Sequence, residues 1–580
     1  MKSFGKIALV LAVLALAGVV NAGTTVSGHI TTDTTWTKAM SPIHMAGDVF
    51  VDAGASLTIE AGVVVASYVA DMGSLAVSQG ADIYVLGTQI EPVIMTSAND
   101  VATWDGSVVV TDGNGDVTEI VTMGDPKTGT WRPVCNEWGS LAIMGNGYIS
   151  ASQYGNADVE YYAGAGSVIN QLCPSATNKK QMEGLVSEDP ADESPILYGG
   201  DDDNDDSGVI RFLSLRYGGR DDIDVNKELN GLSLGAVGRA TDISHVEVMN
   251  NKDDGIELWG GTVCLSYVNI WNIGDDSFDV DEGWRGCLCK ALIVQGYCDE
   301  ASQGSGVGDN AFETDGAEDA HAQPMTTALI KCVTVVGQPA DQGVNGNGSD
   351  AGTAWRDNAR VQYDSCIWMD LDDELIKFDC EDGDGANGYD GDGDKNTKDR
   401  SSACPDGTMN WDQHWTTSYN TWVTSQYADP NYFGIENCGI NHGDLYGYVC
   451  CGYDRNAPLC QITNSVFYGD NIKYTEYNYI DALVGSNLVG NAVAAAMPIQ
   501  GLTRGTATLV NGGYEMSPVT NIVPNPVAGV TAGAFDSCTN WLVGWSAAHA
   551  YGMTSGSADI NCDGSVDMED LATMSSQWLN

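Results

Sequence analysis

The sequence predicts an all-β protein built as a stacked solenoid, and three observations lead to that prediction. Short strand-like runs, such as residues 48–62, are separated by Gly, Asn and Asp. Alternation of apolar and polar residues between such turn residues is typical of β-strands. An acidic motif at 253–258 recurs at 275–280, with an offset of 22 residues from Ile256 to Phe278. A repeat of roughly 20 to 25 residues indicates coils that stack, because one coil cannot bury its apolar face alone.

The first 22 residues have the pattern of a secretory signal. Two lysines precede a short apolar run over residues 7–20, and residues 20–22 offer a small-residue cleavage site. The run is too short for a good membrane-spanning helix, and no second run of membrane length follows. The sequence therefore predicts an exported protein, extracellular or attached to the cell surface, without a transmembrane segment. We expect its mature chain to start near Gly23.

The formal net charge of -54 is extreme for 580 residues. It argues against nucleic acid as a partner, because phosphates are held by Lys and Arg. Two interpretations of the charge remain open. The acids form a solvated surface suited to salt, or clusters of them bind several Ca²⁺ ions.

Sixteen cysteines in an exported chain predict disulfide bonds, although the pairing cannot be deduced from the sequence alone. The spacings of Cys287-x-Cys289 and Cys450-Cys451 are not those of zinc sites.

A single β-solenoid domain is expected over residues 23–550. Insertions are predicted at about 100–135, where 108–121 forms a hairpin, at 187–207 and at 379–460. Apolar residues at helical spacing predict a covering helix at 479–497. Further strands are predicted at 243–248, 264–270, 288–294, 328–336, 360–368, 375–378 and 462–468.

The motif at 253–263, followed by 274–285, resembles a family of secreted bacterial right-handed parallel β-helix proteins. Residues 532–545 resemble the closing segment of that family, and residues 31–65 resemble its opening turn. The resemblance implies a right-handed parallel β-helix for most of the chain. The family has no settled activity, so the resemblance implies little about function.

The C-terminal segment has the spacing of a calcium loop. Oxygen ligands fall at positions 1, 3, 5, 7, 9 and 12, and Gly564 supplies the sharp turn. The segment after the linker at 551–558 resembles one half of a type I dockerin, a single-loop tag found in planctomycete-like bacteria. The resemblance implies a cohesin-like or cell-surface partner, although a full dockerin has two loops. Cys562 in this loop could pair with Cys538. The predicted ligands are Asp559, Asn561, Asp563, Ser565, Asp567 and Asp570.

A second acidic segment has carboxylates separated by Gly. Such close like charges repel each other, which favours a bound Ca²⁺ over an ordered empty loop, although a disordered acidic loop is the alternative. A third segment, residues 201–206, is less regular, and the sequence does not decide whether it binds an ion. The predicted ligands of the second segment are Asp382, Asp384, Asp390, Asp392 and Asp394.

The repeated motif itself contains a fourth group of acids. A 22-residue coil places Asp254 near Asp276 and Glu257 near Asp279. The favoured interpretation is a ladder of turn aspartates whose side chains bind local N–H groups. The alternative is a catalytic site, since β-helix lyases and glycosidases both cluster acids on one face. Its candidate residues are Asp276, Asp279, Asp281 and Arg285.

The tryptophans allow two interpretations as well. Core packing is favoured over a sugar-stacking strip for Trp259, Trp271, Trp284, Trp355 and Trp368.

Taken together, these patterns favour a Ca²⁺-binding exported protein in adhesion, matrix building or polysaccharide binding. A carbohydrate-active enzyme, as lyase or glycosidase, is the first alternative. A self-associating structural element is the second.

Overall fold

The computed structural model shows a right-handed parallel β-helix, as predicted. Its strands stack coil upon coil on three sides, which we name faces 1, 2 and 3. The structure describes residues 23–151, 178–187, 191–220, 229–298, 308–316, 324, 326–338, 351–356, 359–371, 374–378, 414–421, 453–469, 473–475, 490–510 and 514–555.

Several strands turn a corner and contribute one half to each of two faces. Face 1 consists of the second halves of Thr24–Ile30 and Ile43–Val51, then Ser74–Val77, Ser140–Met144, Leu232–Gly235, Ile256–Trp259, Phe278–Asp281, Phe312–Thr314, Thr353–Trp355, Glu374–Phe378 and Lys473–Thr475. Face 2 consists of Thr34–Trp36, Ser56–Ile59, Asp82–Leu86, the first halves of Gly208–Arg216, Asp242–Met249, Cys264–Trp271, Cys287–Val294 and Thr327–Val336, then Arg360–Asp364 and Gln461–Thr463.

Face 3 closes each coil. It begins with the first halves of Thr24–Ile30 and Ile43–Val51, then Val64–Ser67 and Val93–Ser97. It continues with the second halves of Gly208–Arg216, Asp242–Met249, Cys264–Trp271, Cys287–Val294 and Thr327–Val336. It ends with Ile367–Met369, Val466–Tyr468 and Ala492–Val493.

Elements outside the three faces are short. The antiparallel pairs are Val108–Thr111 with Val117–Thr122, Lys180–Gln181 with Leu197–Tyr198, Ile499–Arg504 with Val519–Pro526, and Thr508–Val510 with Tyr514–Met516. The first pair confirms the predicted hairpin. The helical turns are Lys38–Met40, Ala98–Val101, Ser194–Ile196 and Ala547–Ala550. Ala492–Val493 is a strand, so the predicted helix at 479–497 is wrong at that end.

The 22-residue repeat is one coil of the helix, because Ile256 lies in register with Phe278 on face 1. Within each strand the side chains alternate between the interior and the outside. Ile256, Leu258, Phe278 and Val280 belong to the buried apolar core. The residues between them therefore point outward, and this alternation positions the acids of face 1.

The five tryptophans of the sequence analysis are all at most 3% exposed. Core packing is therefore confirmed for them, and they do not form an exposed sugar-stacking strip.

Residues 499–510 and 514–553, which we name the C-terminal cover, lie along the outer side of face 3. They pack on its outward apolar residues and share one buried cluster with them. Trp541 contacts Tyr267 edge-on, with ring centroids 5.6 Å apart, and Trp545 contacts Phe212 at 5.8 Å. The segment that resembles a closing turn thus covers the side of several coils.

Glu247 connects the C-terminal cover to the body and is completely buried. Its carboxylate accepts hydrogen bonds from the backbone N–H groups of Ala547 and Ala548 at 2.5 and 3.1 Å. It also accepts from Ser214 Oγ at 2.5 Å and Asn269 Nδ2 at 2.8 Å. Four donors on three segments therefore depend on one side chain.

We expect Glu247→Ala to lower the free energy of unfolding by about 2–4 kcal/mol, because it leaves buried donors without an acceptor. The C-terminal cover should also become more sensitive to protease. Chemical denaturation and limited proteolysis measure the two effects. Glu119→Ala, at an exposed position of the hairpin, is the control. Equal stability of the two variants would contradict this role of Glu247.

Several predicted features lie outside the described residues. They are the signal at 1–22, the acidic segment at 382–394 and the loop at 559–570. Cys289, Cys332, Cys366 and Cys460 are free thiols, so the disulfide prediction is not supported for these four. Cys538 is disulfide-bonded. In the described part of the chain, every helix is too short or too polar to cross a membrane.

Candidate functional site

Eight carboxylates from three successive coils meet on the outer side of face 1. We name them the acidic cluster. They come from the turns that enter the strands Ile256–Trp259, Phe278–Asp281 and Phe312–Thr314 and from the outward positions within them. The members are Asp253, Asp254, Glu257, Asp275, Asp276, Asp279, Asp309 and Glu313.

One column of the acidic cluster is a hydrogen-bonded ladder that runs along the helix axis. Asn230 Oδ1 accepts from the backbone N–H of Asp254 at 3.1 Å, and Asp254 Oδ1 accepts from that of Asp276 at 2.9 Å. Asp276 Oδ1 then accepts from the N–H of Asn310 at 2.6 Å, and Asn310 Oδ1 from that of Ala351 at 3.2 Å. The predicted ladder of turn aspartates is therefore confirmed for Asp254 and Asp276, although each accepts from an N–H group of the next coil and not from a local one.

A second column consists of outward side chains within the strands. Glu257 lies in register with Asp279, as the 22-residue offset predicted. Glu313 continues the column, because Phe278 is in register with Phe312. Glu257 accepts a hydrogen bond from the Asn230 side chain, and Asp279 Oδ1 accepts from the N–H of Val280 at 2.6 Å. Each carboxylate thus keeps at least one oxygen lone pair beyond these bonds.

The two columns approach each other and a third formed by Asp253, Asp275 and Asp309. In each of three overlapping groups, the carboxylate oxygens lie within 4.8 Å of one another. Such a spacing allows several oxygens to contact one hard cation, which takes six to eight oxygen ligands at about 2.3–2.6 Å when it is Ca²⁺. The groups are Asp253, Asp254 and Asp275; Asp254, Glu257 and Asp279; and Asp275, Asp276 and Asp309.

Burial and mutual repulsion raise the pKa values of five carboxyl groups in the acidic cluster. Burial, reinforced by Asp253 and Asp309, raises the pKa of Asp275 to about 9. Burial and the charge of Glu313 raise the pKa of Asp279 to about 7, although Arg356 opposes the shift. Burial is also the main cause that raises the pKa values of Asp254, Glu257 and Asp276 well above their ordinary range.

These shifts mean that the acidic cluster cannot hold all its charges without a counter-charge. Two chemical outcomes are possible. Some carboxyl groups bind protons, or a cation neutralises them. A group with a pKa near 7 beside ionised neighbours is also the arrangement that acid–base catalysis uses.

Arg285 does not belong to the acidic cluster. Its guanidinium is buried and makes a bidentate pair with Asp203, with N–O distances of 2.6 and 2.8 Å. Its Nε donates to the carbonyl oxygen of Gly283 at 3.2 Å. The structure therefore does not place Arg285 beside Asp276 and Asp279, because its donors are occupied by another loop.

The end of the strand Phe278–Asp281 also faces other partners. Asp281 Oδ1 accepts from the N–H of Glu282 at 2.5 Å, a local backbone contact. The buried Glu282 accepts from Lys180 Nζ at 2.5 Å and from the hydroxyl of Tyr198 at 3.1 Å. Of the four catalytic candidates, the structure thus brings together Asp276 and Asp279 within the acidic cluster.

The acidic loop at 201–206 is held by protein donors. Asp203 pairs with Arg285 and accepts from the N–H of Tyr148 at 3.2 Å. Asp205 accepts from Asn146 Nδ2 and Ser207 Oγ, both at 2.9 Å. This loop therefore serves as an anchor between coils.

Sequence reasoning did not assign Asp309 and Arg356 to the site. The coil from Phe278 to Phe312 is 34 residues long because of an insertion, so a constant 22-residue period misses it. Aligning residues 309–313 with 275–279 would have found Asp309. Arg356 forms ion pairs with Glu313 and with Asp315, the latter at 3.7 Å. It places a positive charge at the edge of the acidic cluster.

Comparison with known proteins gives one family. A family model described as a pectate-lyase-like beta helix domain matches residues 28–122 and 122–392, which is more than half of the 580 residues. No curated protein and no solved structure gives a match.

Proposed function

Because the chain belongs to the pectate-lyase-like β-helix domain family, we propose that it is an exported protein that binds Ca²⁺ at the acidic cluster of face 1 and holds a polysaccharide there. The observation that carries the proposal is the set of three overlapping carboxylate groups with oxygens within 4.8 Å of one another. Ca²⁺ is the ion that such an all-oxygen environment suits best.

The negative net charge of the chain supports a role for bound Ca²⁺ in holding a polysaccharide. A chain with a net charge of -54 repels an acidic polysaccharide unless a cation lies between them. Bound Ca²⁺ would both neutralise the acidic cluster and offer open coordination positions to carboxylate or hydroxyl groups of a glycan. The loop at 559–570 and the segment at 382–394 are proposed as further Ca²⁺ sites, and the former as a docking tag for a cohesin-like or cell-surface partner.

A lyase or glycosidase activity at the same face is the second candidate. It is favoured by Asp279, whose pKa of about 7 would allow its carboxyl group to donate a proton while other acids stay ionised. Arg356 supplies a nearby positive charge for a uronate carboxylate. The family description points in the same direction. A protein that only binds the polysaccharide needs the same ion and the same face. The two candidates therefore differ in whether the bound polysaccharide is cleaved.

The experiment measures binding and turnover of soluble glycans by the full chain, with Ca²⁺ and with chelator. We expect Ca²⁺-dependent binding that weakens at least about tenfold in Glu257→Gln/Asp279→Asn, because each lost ligand charge costs on the order of 1 kcal/mol or more. Asp281→Asn is the matched control, since Asp281 lies on the same strand outside the three groups.

The readouts separate the candidates. Binding without new reducing ends or unsaturated products supports the binding protein. Ca²⁺-dependent products that disappear in Asp279→Asn support the enzyme. Glycan binding that is unaffected by chelator and by the double variant would refute the role of the acidic cluster.

A further inference from the structure

Three cysteines lie side by side on the outer side of face 2. The strands Cys264–Trp271 and Cys287–Val294 are parallel neighbours, and Cys264 is in register with Cys287. Leu265 and Leu288 point into the core, so the cysteines beside them point outward. We name Cys264, Cys287 and Cys289 the thiol patch. All three are partly buried and are in the reduced form in this structure.

The register brings one pair within bonding range. Neighbouring strands are about 4.8 Å apart, so the Cα atoms of in-register residues are separated by about that distance. Disulfides span Cα distances of about 4.4–6.8 Å. Cys287 and Cys289 are two residues apart along one extended strand, about 6.6 Å, at the upper limit of that range. Geometry therefore favours the bond between Cys264 and Cys287.

Cys289 lies next to this pair, on the same strand as Cys287. A hydrogen bond from Cys287 is the main cause that lowers the pKa of Cys289, with smaller contributions from Lys331 and Lys290. The thiolate of Cys289 is thus stabilised directly beside the Cys287 sulfur. Among the described residues, the close three-ligand groups are all made of carboxylates, which favours a two-thiol product over a metal at the thiol patch.

We propose that Cys264 and Cys287 form a disulfide that joins two successive coils when the chain meets a low-molecular-weight disulfide. Cys287, after losing its proton to solvent, attacks one sulfur of the reagent and releases one thiolate. Cys264, after losing its proton to solvent, attacks the Cys287 sulfur and releases the second. One protein disulfide forms, two electrons pass, and the reagent is reduced to two thiols. The reaction in the cell relies on the proposed export, whereas the pairing itself does not.

Peptide mapping of the full chain tests the pairing. The protein is incubated with oxidised glutathione or with dithiothreitol, denatured, alkylated without reduction and digested with trypsin. Cleavage after Lys252, Arg285 and Lys290 separates peptide 253–285, which carries Cys264, from peptide 286–290, which carries the other two. We expect the two peptides to be joined after oxidation, with Cys289 alkylated, and to be separate after dithiothreitol.

Two variants decide which sulfur is used. The joined peptides should persist in Cys289→Ser, which keeps the proposed pair, and should disappear in Cys287→Ser. Fragmentation of the joined species locates the bond independently of how well either variant folds. Alkylated Cys264 in the oxidised wild type, or a bond from Cys264 to Cys289, would overturn the proposal. Because this outcome does not depend on Ca²⁺ or glycan, its failure is distinct from failure of the proposed function.

Discussion

Removal of Ca²⁺ is expected to lower the unfolding temperature of the full chain by a large margin. An ion that binds only the folded state stabilises it by about 4 kcal/mol when its concentration is about 1,000 times the dissociation constant. The acidic cluster adds a second contribution, because its carboxylates repel each other once the ion leaves. Thermal unfolding with Ca²⁺ and with chelator measures the combined loss.

The variant Glu257→Gln/Asp279→Asn isolates the contribution of the acidic cluster. Both residues lie in one of the close carboxylate groups and are at most 8% exposed. The variant should be more stable than the wild type in chelator, because neutral amides replace two buried acids that must otherwise bind a proton or remain charged in the folded state. It should gain much less from Ca²⁺ than the wild type. Any ions bound at 382–394 or 559–570 stabilise both proteins equally. The difference in Ca²⁺-induced stabilisation between the wild type and the variant therefore comes from face 1.

Asp281→Asn provides the control for this experiment. It removes a carboxylate from the same strand but outside the three close groups. Its response to Ca²⁺ should equal that of the wild type. If the double variant also responds like the wild type, the acidic cluster does not bind the ion, and the stabilisation comes from elsewhere in the chain.

The pH dependence of stability is the second large effect. In the folded chain, burial raises the pKa of Asp279 to about 7 and that of Asp275 to about 9, from an ordinary value of 3.8. A raised pKa means that the folded state holds its proton more tightly than the unfolded state. The corresponding stability is fully present below the unfolded value and is lost as the pH rises through the folded values.

In chelator, the unfolding temperature should therefore fall as the pH rises from about 5 to about 9. Ca²⁺ should oppose this fall, because it replaces the protons as the counter-charge. Addition of Ca²⁺ near neutral pH should also release protons, which calorimetry in buffers of different ionisation enthalpy can count. The opposite result would be an unfolding temperature in chelator that stays constant or rises over this pH range, with no protons released when Ca²⁺ is added. That result would contradict the claim that the acidic cluster holds buried protonated acids.

The architecture was largely predictable because its signals are local and repeated. Ile256 and Phe278 set the coil length, and the alternation of apolar and acidic residues set which side chains face outward. Glu257 and Asp279 were therefore placed correctly on one face. The strands at 242–249, 264–271 and 287–294 begin and end within one residue of the predicted bounds.

The contacts of Arg285 were not predictable in the same way. It lies close in sequence to Asp279, but Glu282, at a φ of 52°, turns the chain at the corner of the coil. The side chain then meets Asp203, 82 residues earlier. The length of the repeat predicts the register of neighbouring strands. It does not predict which loop from another part of the chain packs against the corner of a coil. The same limit hid Asp309, since an insertion of unknown length precedes it.

The position of the C-terminal cover also depends on distant residues. Ala547 and Ala548 bind Glu247, about 300 residues earlier in the chain. Nothing in residues 532–545 indicates that partner. The apolar composition predicts that the segment packs on the body, but the buried carboxylate that receives it belongs to another coil.

The most direct test of the account is a crystal structure of the full chain grown with Ca²⁺, with anomalous scattering used to locate the ion. We predict an anomalous peak between Glu257 and Asp279, with carboxylate oxygens at about 2.3–2.6 Å. An ordered acidic cluster without such a peak, its carboxyl groups hydrogen-bonded directly to one another while Ca²⁺ is bound elsewhere, would contradict the central claim.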